Sequence, residues 1–466
     1  MGFELNFKGA FDTVTESRTQ LNLGQDKILV DCGLFQGAGP MRQKNREQID
    51  HEADGFSAVF LTHAHLDHSG FIPRLTKDGF NGPIYSTPGT SALAKLILKD
   101  AGYLEEEAAK YANETRYSRH NPALPLFTLD DVEQCLGQFK TKARDRWHQF
   151  SPMLSYRFLR AGHIIGASMV QFQTMVDQKN FLITFSGDVG HYRSLTMKGP
   201  SALRETDILV LESTYGDRLH PKEDVLTELA TIVQEVTQRG GVLLIPSFAV
   251  GRAQDLIYLF RILEDQKRIA KIPVILDSPM AKEATEIFLQ FKDDQKVNDA
   301  FASVSGFAPT RFHMTRSPGE SANYYKKNGP MVLISSSGML SGGRILHHLK
   351  HRLSDDKNVV LFTGYQAQGT KGRWLQDHAH EEFLRIHHQN IPIKAQVKTL
   401  DALSAHADAD DLLTWLEGLA RPPKLVILNH GSVQAQRGLK EKIVGKFGWP
   451  VKTTAEQQHF NLNDLE

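Results

Sequence analysis

The 466 residues carry 54 basic and 54 acidic side chains, which excludes a whole-molecule field that would gather a polyanion and confines any nucleic-acid site to a local patch. Two cysteines, Cys32 and Cys135, are too few for a disulfide framework and point to a reducing, cytoplasmic compartment. The first residues lack the basic-then-apolar order of a secretory signal, and no run approaches the roughly 18 apolar residues of a membrane span.

In chain order, strands are expected at 58–62, 156–159 and 181–185, with a helix over 90–113 between the first two. Strands follow at 208–211, 242–245, 273–276, 331–334, 359–362 and 425–428, and helices at 222–239, 252–266 and 410–419. Such alternation predicts sheets covered by helices, an α/β fold. The chain exceeds the roughly 250–300 residues at which one core stops growing, so two domains are expected. No repeat or low-complexity tract separates them. Metal-type residues cluster before residue 190 and return after 400, so one domain is read as inserted into another: 1–205 and 393–466 form the outer domain, and 206–392 the insertion.

The densest chemical signal is Thr62-His63-Ala64-His65-Leu66-Asp67-His68-Ser69-Gly70, directly after an apolar strand. Four potential ligands within six residues, at a strand end where alternate side chains share a face, suit two neighbouring cations. Imidazole favours zinc, and the carboxylate neutralises charge. A polar, solvated loop is the ordinary explanation of one histidine and a poor one for this density. Two ions need more donors, and His163, Asp188 and His430 each follow a strand beside a glycine.

This His-x-His-x-Asp-His run resembles the metallo-β-lactamase superfamily, whose fold is a four-layer αββα sandwich with metals at one edge of the facing sheets. The resemblance implies one zinc on His63, His65 and His163, a second on Asp67, His68 and His430, and Asp188 bridging them. Manganese fits the same mixed donor set. Asp31, in Asp31-Cys-Gly-Leu-Phe-Gln-Gly37, is similar to an early aspartate that braces the histidine loop by hydrogen bonding.

The superfamily hosts several chemistries, so the substrate must be read from the insertion. There, Pro246-Ser-Phe-Ala-Val-Gly-Arg252, Asp277-Ser-Pro-Met-Ala281, Ser335-Ser-Ser337-Gly338-Met339-Leu-Ser-Gly-Gly343-Arg344 and Thr363 to Arg373, with Thr370, resemble the β-CASP insertion of nucleic-acid-processing members. Glu212 in Leu211-Glu-Ser-Thr-Tyr-Gly216 matches its acidic motif A, His406 in Leu403-Ser-Ala-His-Ala-Asp408 its motif B, and His430 its motif C. The chain is most similar to short bacterial β-CASP ribonucleases akin to the endonuclease subunit of cleavage and polyadenylation specificity factor. It departs from them at Ser432, where an acidic residue commonly follows motif C.

A zinc-dependent ribonuclease is therefore expected, acting as an endonuclease or also from 5′ ends on single-stranded RNA. The resemblance implies a hydroxide bridging the metals that attacks phosphorus, with Asp67 and Asp188 at the metals. His406, oriented by Glu212, protonates the leaving ribose oxygen, giving 5′-phosphate and 3′-hydroxyl ends. Hydroxyl and backbone N–H groups of the turn from Ser335 to Gly343, with Ser337, Gly338 and Met339 among them, are expected to form a phosphate nest, with Arg252, Arg344, Thr370 and Arg373 adding contacts. Arg252 and Arg373 also have a plain reading, as part of a helix start and a surface turn. Lys140, Lys142, Arg144 and Arg146 with Trp147 and His148 read as a solvated helix face, with RNA contact the alternative. A small-molecule hydrolase would not need the insertion, and a non-catalytic scaffold should have lost ligands. A DNA nuclease differs only at the sugar. The sequence leaves open a homodimer or RNA-processing partners.

Overall fold

The computed structural model describes residues 3–37, 41, 43–46, 53–116, 118, 120–176, 179–221, 224–297, 303–364, 366–379, 381–400 and 403–462. Lys222 of the expected helix and Tyr365 of the last insertion motif lie outside them. The chain divides into two compact units, Met1–Leu219 with His406–Glu466, and His220–Ala405.

The first unit contains two seven-stranded sheets. One runs, in spatial order, through His459–Asn461, Phe3–Phe7, Thr19–Leu23, Asp26–Val30, Ala58–Phe60, Ile84–Ser86 and Phe139–Thr141. The other runs through Val451–Thr453, Leu425–Asn429, Ile208–Glu212, Lys179–Phe185, Ser168–Val176, Leu154–Arg160 and His148–Ser151. The alternation in strands such as Phe-Glu-Leu-Asn-Phe sends one face inward. The inward faces of both sheets meet in one core that includes Leu5, Leu21, Phe60, Tyr156, Phe172, Phe185, Val210 and Ile427. Phe60 lies at its middle, 4.7–5.6 Å by ring centroid from Tyr85, Phe150, Tyr156 and Phe172.

Helices Ile72–Lys77, Pro88–Thr115 and Leu129–Gly137 pack together beside the first sheet, and Val433–Phe447 packs on Val451–Thr453 and Leu425–Asn429 of the second. This is the expected αββα order. The longest helix starts where Thr87 accepts the Thr90 N–H and proline occupies the first turn, satisfying or removing donors a helix start leaves bare. Among the described residues no helix is long and apolar enough to cross a membrane.

The second unit is built on one six-stranded sheet in the order Phe312–Met314, Val274–Asp277, Met331–Ser335, Val242–Pro246, Val359–Phe362 and Gln396–Thr399. Every pairing is parallel. Central strands of such a sheet are covered on both faces, which is why Val242–Ile245, Met331–Ile334 and Val359–Phe362 are continuous apolar runs.

Two expectations change. The insertion does not begin at 206 or end at 392. Ile208–Glu212 is hydrogen-bonded between Lys179–Phe185 and Leu425–Asn429 in the first unit, and Gln396–Thr399 pairs with Val359–Phe362 in the second. The basic run 140–148 is not a helix face either, because Phe139–Thr141 and His148–Ser151 are edge strands of the two sheets joined by a turn.

A buried carboxylate ties the second unit together. Asp277, fully buried at the end of its strand, accepts from Thr315 Oγ1 (2.5 Å), Ser321 Oγ (2.6 Å), Arg344 Nη1 (2.7 Å) and His348 Nε2 (2.6 Å). Burial alone would raise its pKa, but these donors hold it well below the usual carboxylate range. A depressed carboxyl stabilises the fold above its unfolded pKa and loses that contribution as pH falls through the folded value. Asp277→Asn is expected to cost about 3–5 kcal/mol at pH 7, read as a lower urea midpoint. The gap from wild type should narrow below about pH 4; a gap independent of pH would refute the ionic role.

Candidate metal centre

The centre is assembled from strand ends of the first unit. Ala58–Phe60 runs into Thr62-His63-Ala64-His65, and a single helical turn, Leu66–Ser69, brings Asp67 and His68 back to the same place. Ser69 Oγ ties this turn to the carbonyls of Ala64 and His65 at 2.9 and 3.0 Å. Gly33 backs the loop so closely that a Cβ there would lie 1.6 Å from the Asp67 carbonyl oxygen. His163 follows Leu154–Arg160 through Gly162, whose φ of +79° suits glycine. Asp188 follows Lys179–Phe185, and His430 follows Leu425–Asn429.

Two clusters result. His63, His65, His163 and Asp188 offer atoms all within 4.8 Å of one another, as do Asp67, His68 and His430. His65 Nδ1 is 3.2 Å from both His63 Nε2 and His163 Nε2, and His68 Nε2 is 3.3 Å from His430 Nε2. Tetrahedral zinc, with Zn–N about 2.0–2.1 Å, separates its nitrogens by about 3.3–3.4 Å. Asp188 faces both groups: Oδ2 lies 3.3 Å from His63 Nε2, and Oδ1 lies 3.2 Å from His68 Nε2 and 3.3 Å from His430 Nδ1. That buried Oδ1 nevertheless has no hydrogen-bond partner. A buried oxygen facing imidazole nitrogens without a hydrogen bond is what a cation between them would satisfy, so the donor set fits two metal ions.

The electrostatics of three of the imidazoles agree with a ligand set. Burial, then the neighbouring imidazoles, lowers the pKa of His63 and brings His65 to about 3, and burial and His406 press His163 well below the ordinary value. These rings are neutral, with lone pairs to give. Burial would lower His68 too, but Asp188 and Asp31 overcome it and raise the ring well above its usual range. Burial would raise Asp67 and Asp188, yet the surrounding imidazoles hold both carboxyls below theirs.

Asp31 braces the loop from behind. Its carboxylate accepts from the Thr62 N–H and hydroxyl, each at 2.8 Å, and from His68 Nδ1 at 2.8 Å, which turns His68 Nε2 toward Asp188. Asp31 and His430 hold φ of +59° and +47°, a left-handed backbone that costs non-glycine residues energy and concentrates at functional sites. Thr62 and Thr214 were not singled out from sequence. Thr62 Oγ1 is 3.1 Å from His63 Nδ1 and Thr214 Oγ1 is 3.3 Å from His430 Nδ1; their places beside His63 and Glu212 were the available signal. Ser432 caps the helix Val433–Phe447 by accepting from the Ala435 N–H.

Beside the cluster, Glu212 is buried at the end of Ile208–Glu212 and accepts from the N–H groups of Val189 (2.7 Å) and Thr214 (3.2 Å). Its Oε1 lies 3.2 Å from His406 Nδ1, while His406 Nε2 lies 3.9 Å from Asp188 Oδ2. Burial would lower the His406 pKa, but Glu212 and then Asp188 raise it to about 9. The shift runs opposite to that of His63, His65 and His163.

The residues expected to contact phosphate lie in the second unit, and several are engaged there. Arg344 Nη1 is bound to Asp277 and Thr315. Arg252 is buried and pairs with Asp255, and Arg373 pairs with Asp377, each on its own helix. Ser337 Oγ accepts from the N–H groups of Ser341 and Gly342, so the expected nest is partly self-satisfied. The carbonyls of Gly338 and Met339 accept from Gln366 Nε2 and Gly372 N. Thr370 caps the helix Lys371–Asp377.

If the clusters hold metal, removing the brace should loosen it without altering a donor of either cluster. Asp31→Ala is expected to weaken metal affinity about 10–100-fold, measured by chelator competition with circular dichroism as a check on folding. Unchanged affinity in a folded variant would refute the bracing role.

Three family models match the chain: the metallo-beta-lactamase superfamily over residues 21–148, the Beta-Casp domain over 253–375, and the Zn-dependent metallo-hydrolase RNA specificity domain over 390–454. Among curated relatives, Ribonuclease TTHA0252 of Thermus thermophilus is 35% identical over 427 residues, covering 91% of this chain and 92% of that protein. An RNase J-like protein of Methanocaldococcus jannaschii is 28% identical, with 92% of each chain covered. The transcription termination factor FttA of the same organism is 31% identical over 92% of this chain but 66% of its own length. A crystal structure of a protein of unknown function from Enterococcus faecalis matches the fold with a TM-score of 0.56 at 14% identity, covering 99% of this chain and 100% of that one. The likeness to the Thermus protein, nearly end to end in both chains, together with the three matched domain types, means that this chain belongs to the β-CASP ribonuclease family of the metallo-β-lactamase superfamily.

Proposed function

We propose that this protein is a metal-dependent ribonuclease that hydrolyses phosphodiester bonds of single-stranded RNA, leaving a 5′-phosphate and a 3′-hydroxyl. The carrying observation is the pairing of two donor clusters around Asp188 with an imidazole, His406, that is held by Glu212 and lies 3.9 Å from that carboxylate. The relatives named as ribonucleases support RNA as the polymer.

His63, His65, His163 and Asp188 would hold one ion, and Asp67, His68, His430 and Asp188 the other, with zinc proposed and manganese compatible. Two such ions, when bound, supply positive charge to the phosphate and a water ionised near neutral pH. The chain contributes the leaving-group step. Glu212, fixed by two backbone N–H groups, accepts from His406 Nδ1 and so aims Nε2 outward with its proton. As water oxygen joins phosphorus and the bond to the ribose 3′-oxygen breaks, Nε2 gives that oxygen its proton. His406 is the more open member of the pair, with its side chain 20% exposed against 1% for Glu212. The same arrangement serves a cut within the chain or at a 5′ end. Cys32 and Cys135 are both buried and unpaired, in keeping with cytoplasmic action.

His406→Ala should reduce turnover about 10²–10⁴-fold with bound metal unchanged; loss of metal with activity would overturn the division of roles. Cleavage of internally and end-labelled RNA beside matched DNA, with His65→Ala as control, tests the polymer and polarity. Cutting of DNA at the same rate would remove the RNA assignment.

A further inference from the structure

We infer that the second unit carries a separate contact surface for single-stranded RNA, formed by stacked rings and lysines along the helix Arg344–Arg352 and the hairpin Phe383–Ile386/Gln389–Pro392. It rests on the ribonuclease reading for the identity of its ligand, and on its own geometry for its existence.

The helix buries Ile345, Leu346, His348, Leu349 and Arg352, which leaves His347 and His351, one turn apart, exposed. The ring of Tyr325 lies nearly parallel to both, at 5.7 Å and 11° from His347 and 5.5 Å and 16° from His351. His387, at the hairpin turn, adds a fourth ring 4.9 Å from His347. The arrangement is held from below. Tyr325 stands edge-on to buried His348 at 5.0 Å, its hydroxyl is 3.2 Å from Ser321 Oγ, and both Ser321 and His348 bond to Asp277. A ring surface whose supports are themselves buried and hydrogen-bonded is preorganised, so a base can stack on it with little ordering cost.

Lysines supply the complementary charge. Lys350, Lys326 and Lys371 act on these imidazoles, and none of the three forms an ion pair among the described residues. Burial and then these and neighbouring basic groups lower the pKa values of His347, His351 and His387, which favours the neutral rings. The carboxylates that act on adjacent Tyr324 are already engaged, Asp277 by Arg344 and His348 and Glu320 by His313. Planar neutral rings beside unpaired cations fit a polymer with planar bases and a phosphate backbone better than an apolar protein face.

The test is fluorescence anisotropy with a labelled phosphorothioate oligouridylate across a salt series, with cleavage of ordinary RNA followed in parallel. The double variant His347→Glu/Lys350→Glu is expected to weaken binding about tenfold and to reduce the slope of log affinity against log salt by about one. Tyr325→Leu, which changes no charge, is expected to weaken binding and leave that slope intact. Melting temperatures within a degree or two of wild type would confirm that neither effect is unfolding. Wild-type affinity and slope in the double variant would overturn the surface, and unchanged affinity in Tyr325→Leu would overturn the stacking platform. Failure of the wild type to cut RNA would sink the ribonuclease reading alone, since binding is read independently.

Discussion

An ionised carboxylate in a protein interior is costly unless opposite charge or donors surround it, and Asp188, 2% exposed, is the point on which the first unit depends. Its two oxygens face imidazoles delivered by three strand ends, His63 and His68 by one and His163 and His430 by the other two. None of these segments could shift by a residue without breaking the set, because alternate positions of a strand point to opposite faces. The core between the sheets, centred on Phe60 and its four aromatic neighbours, supplies the rigidity that makes such registration possible.

The insertion of the second unit follows from the same requirement. Glu212 stands on the strand before it and His406 just after it, and the two meet at 3.2 Å although 194 residues separate them. The first unit closes this gap through its own sheet: Ile208–Glu212 pairs in parallel with Leu425–Asn429, and the Ala407 N–H reaches the Val189 carbonyl at 2.7 Å. A large domain can thus leave and rejoin the sandwich while Glu212 and His406 stay beside the donor clusters.

In the second unit Asp277 plays the organising part. By engaging Thr315, Ser321, Arg344 and His348, one carboxylate fixes the strand end and two helices, and through His348 and Ser321 it supports the ring of Tyr325. Arg344 shows why a basic residue in a serine- and glycine-rich turn need not face solvent. Its guanidinium compensates the buried Asp277 carboxylate, and drawing it away toward a phosphate would remove that partner.

The α/β alternation and the donor run from His63 to His68 were legible in the chain because each depends on spacing within a few residues: strand runs of four or five apolar positions, four donors in one loop; the αββα layering came from the family likeness. His163, Asp188 and His430 could be nominated from strand-then-glycine patterns, and Asp31, Glu212 and His406 from the family likeness. What spacing alone could not supply was partnership across long separations, such as His68 with His430 at 3.3 Å over 362 positions. Nor could it reveal the unit boundaries, which depend on which sheet Ile208–Glu212 and Gln396–Thr399 join. The arginines separate for the same reason, since Arg344 is claimed by Asp277, 67 positions away. Local chemistry is written in neighbouring residues, whereas strand order and the burial of charge arise only when distant segments pack, and those decided which of the nominated side chains meet.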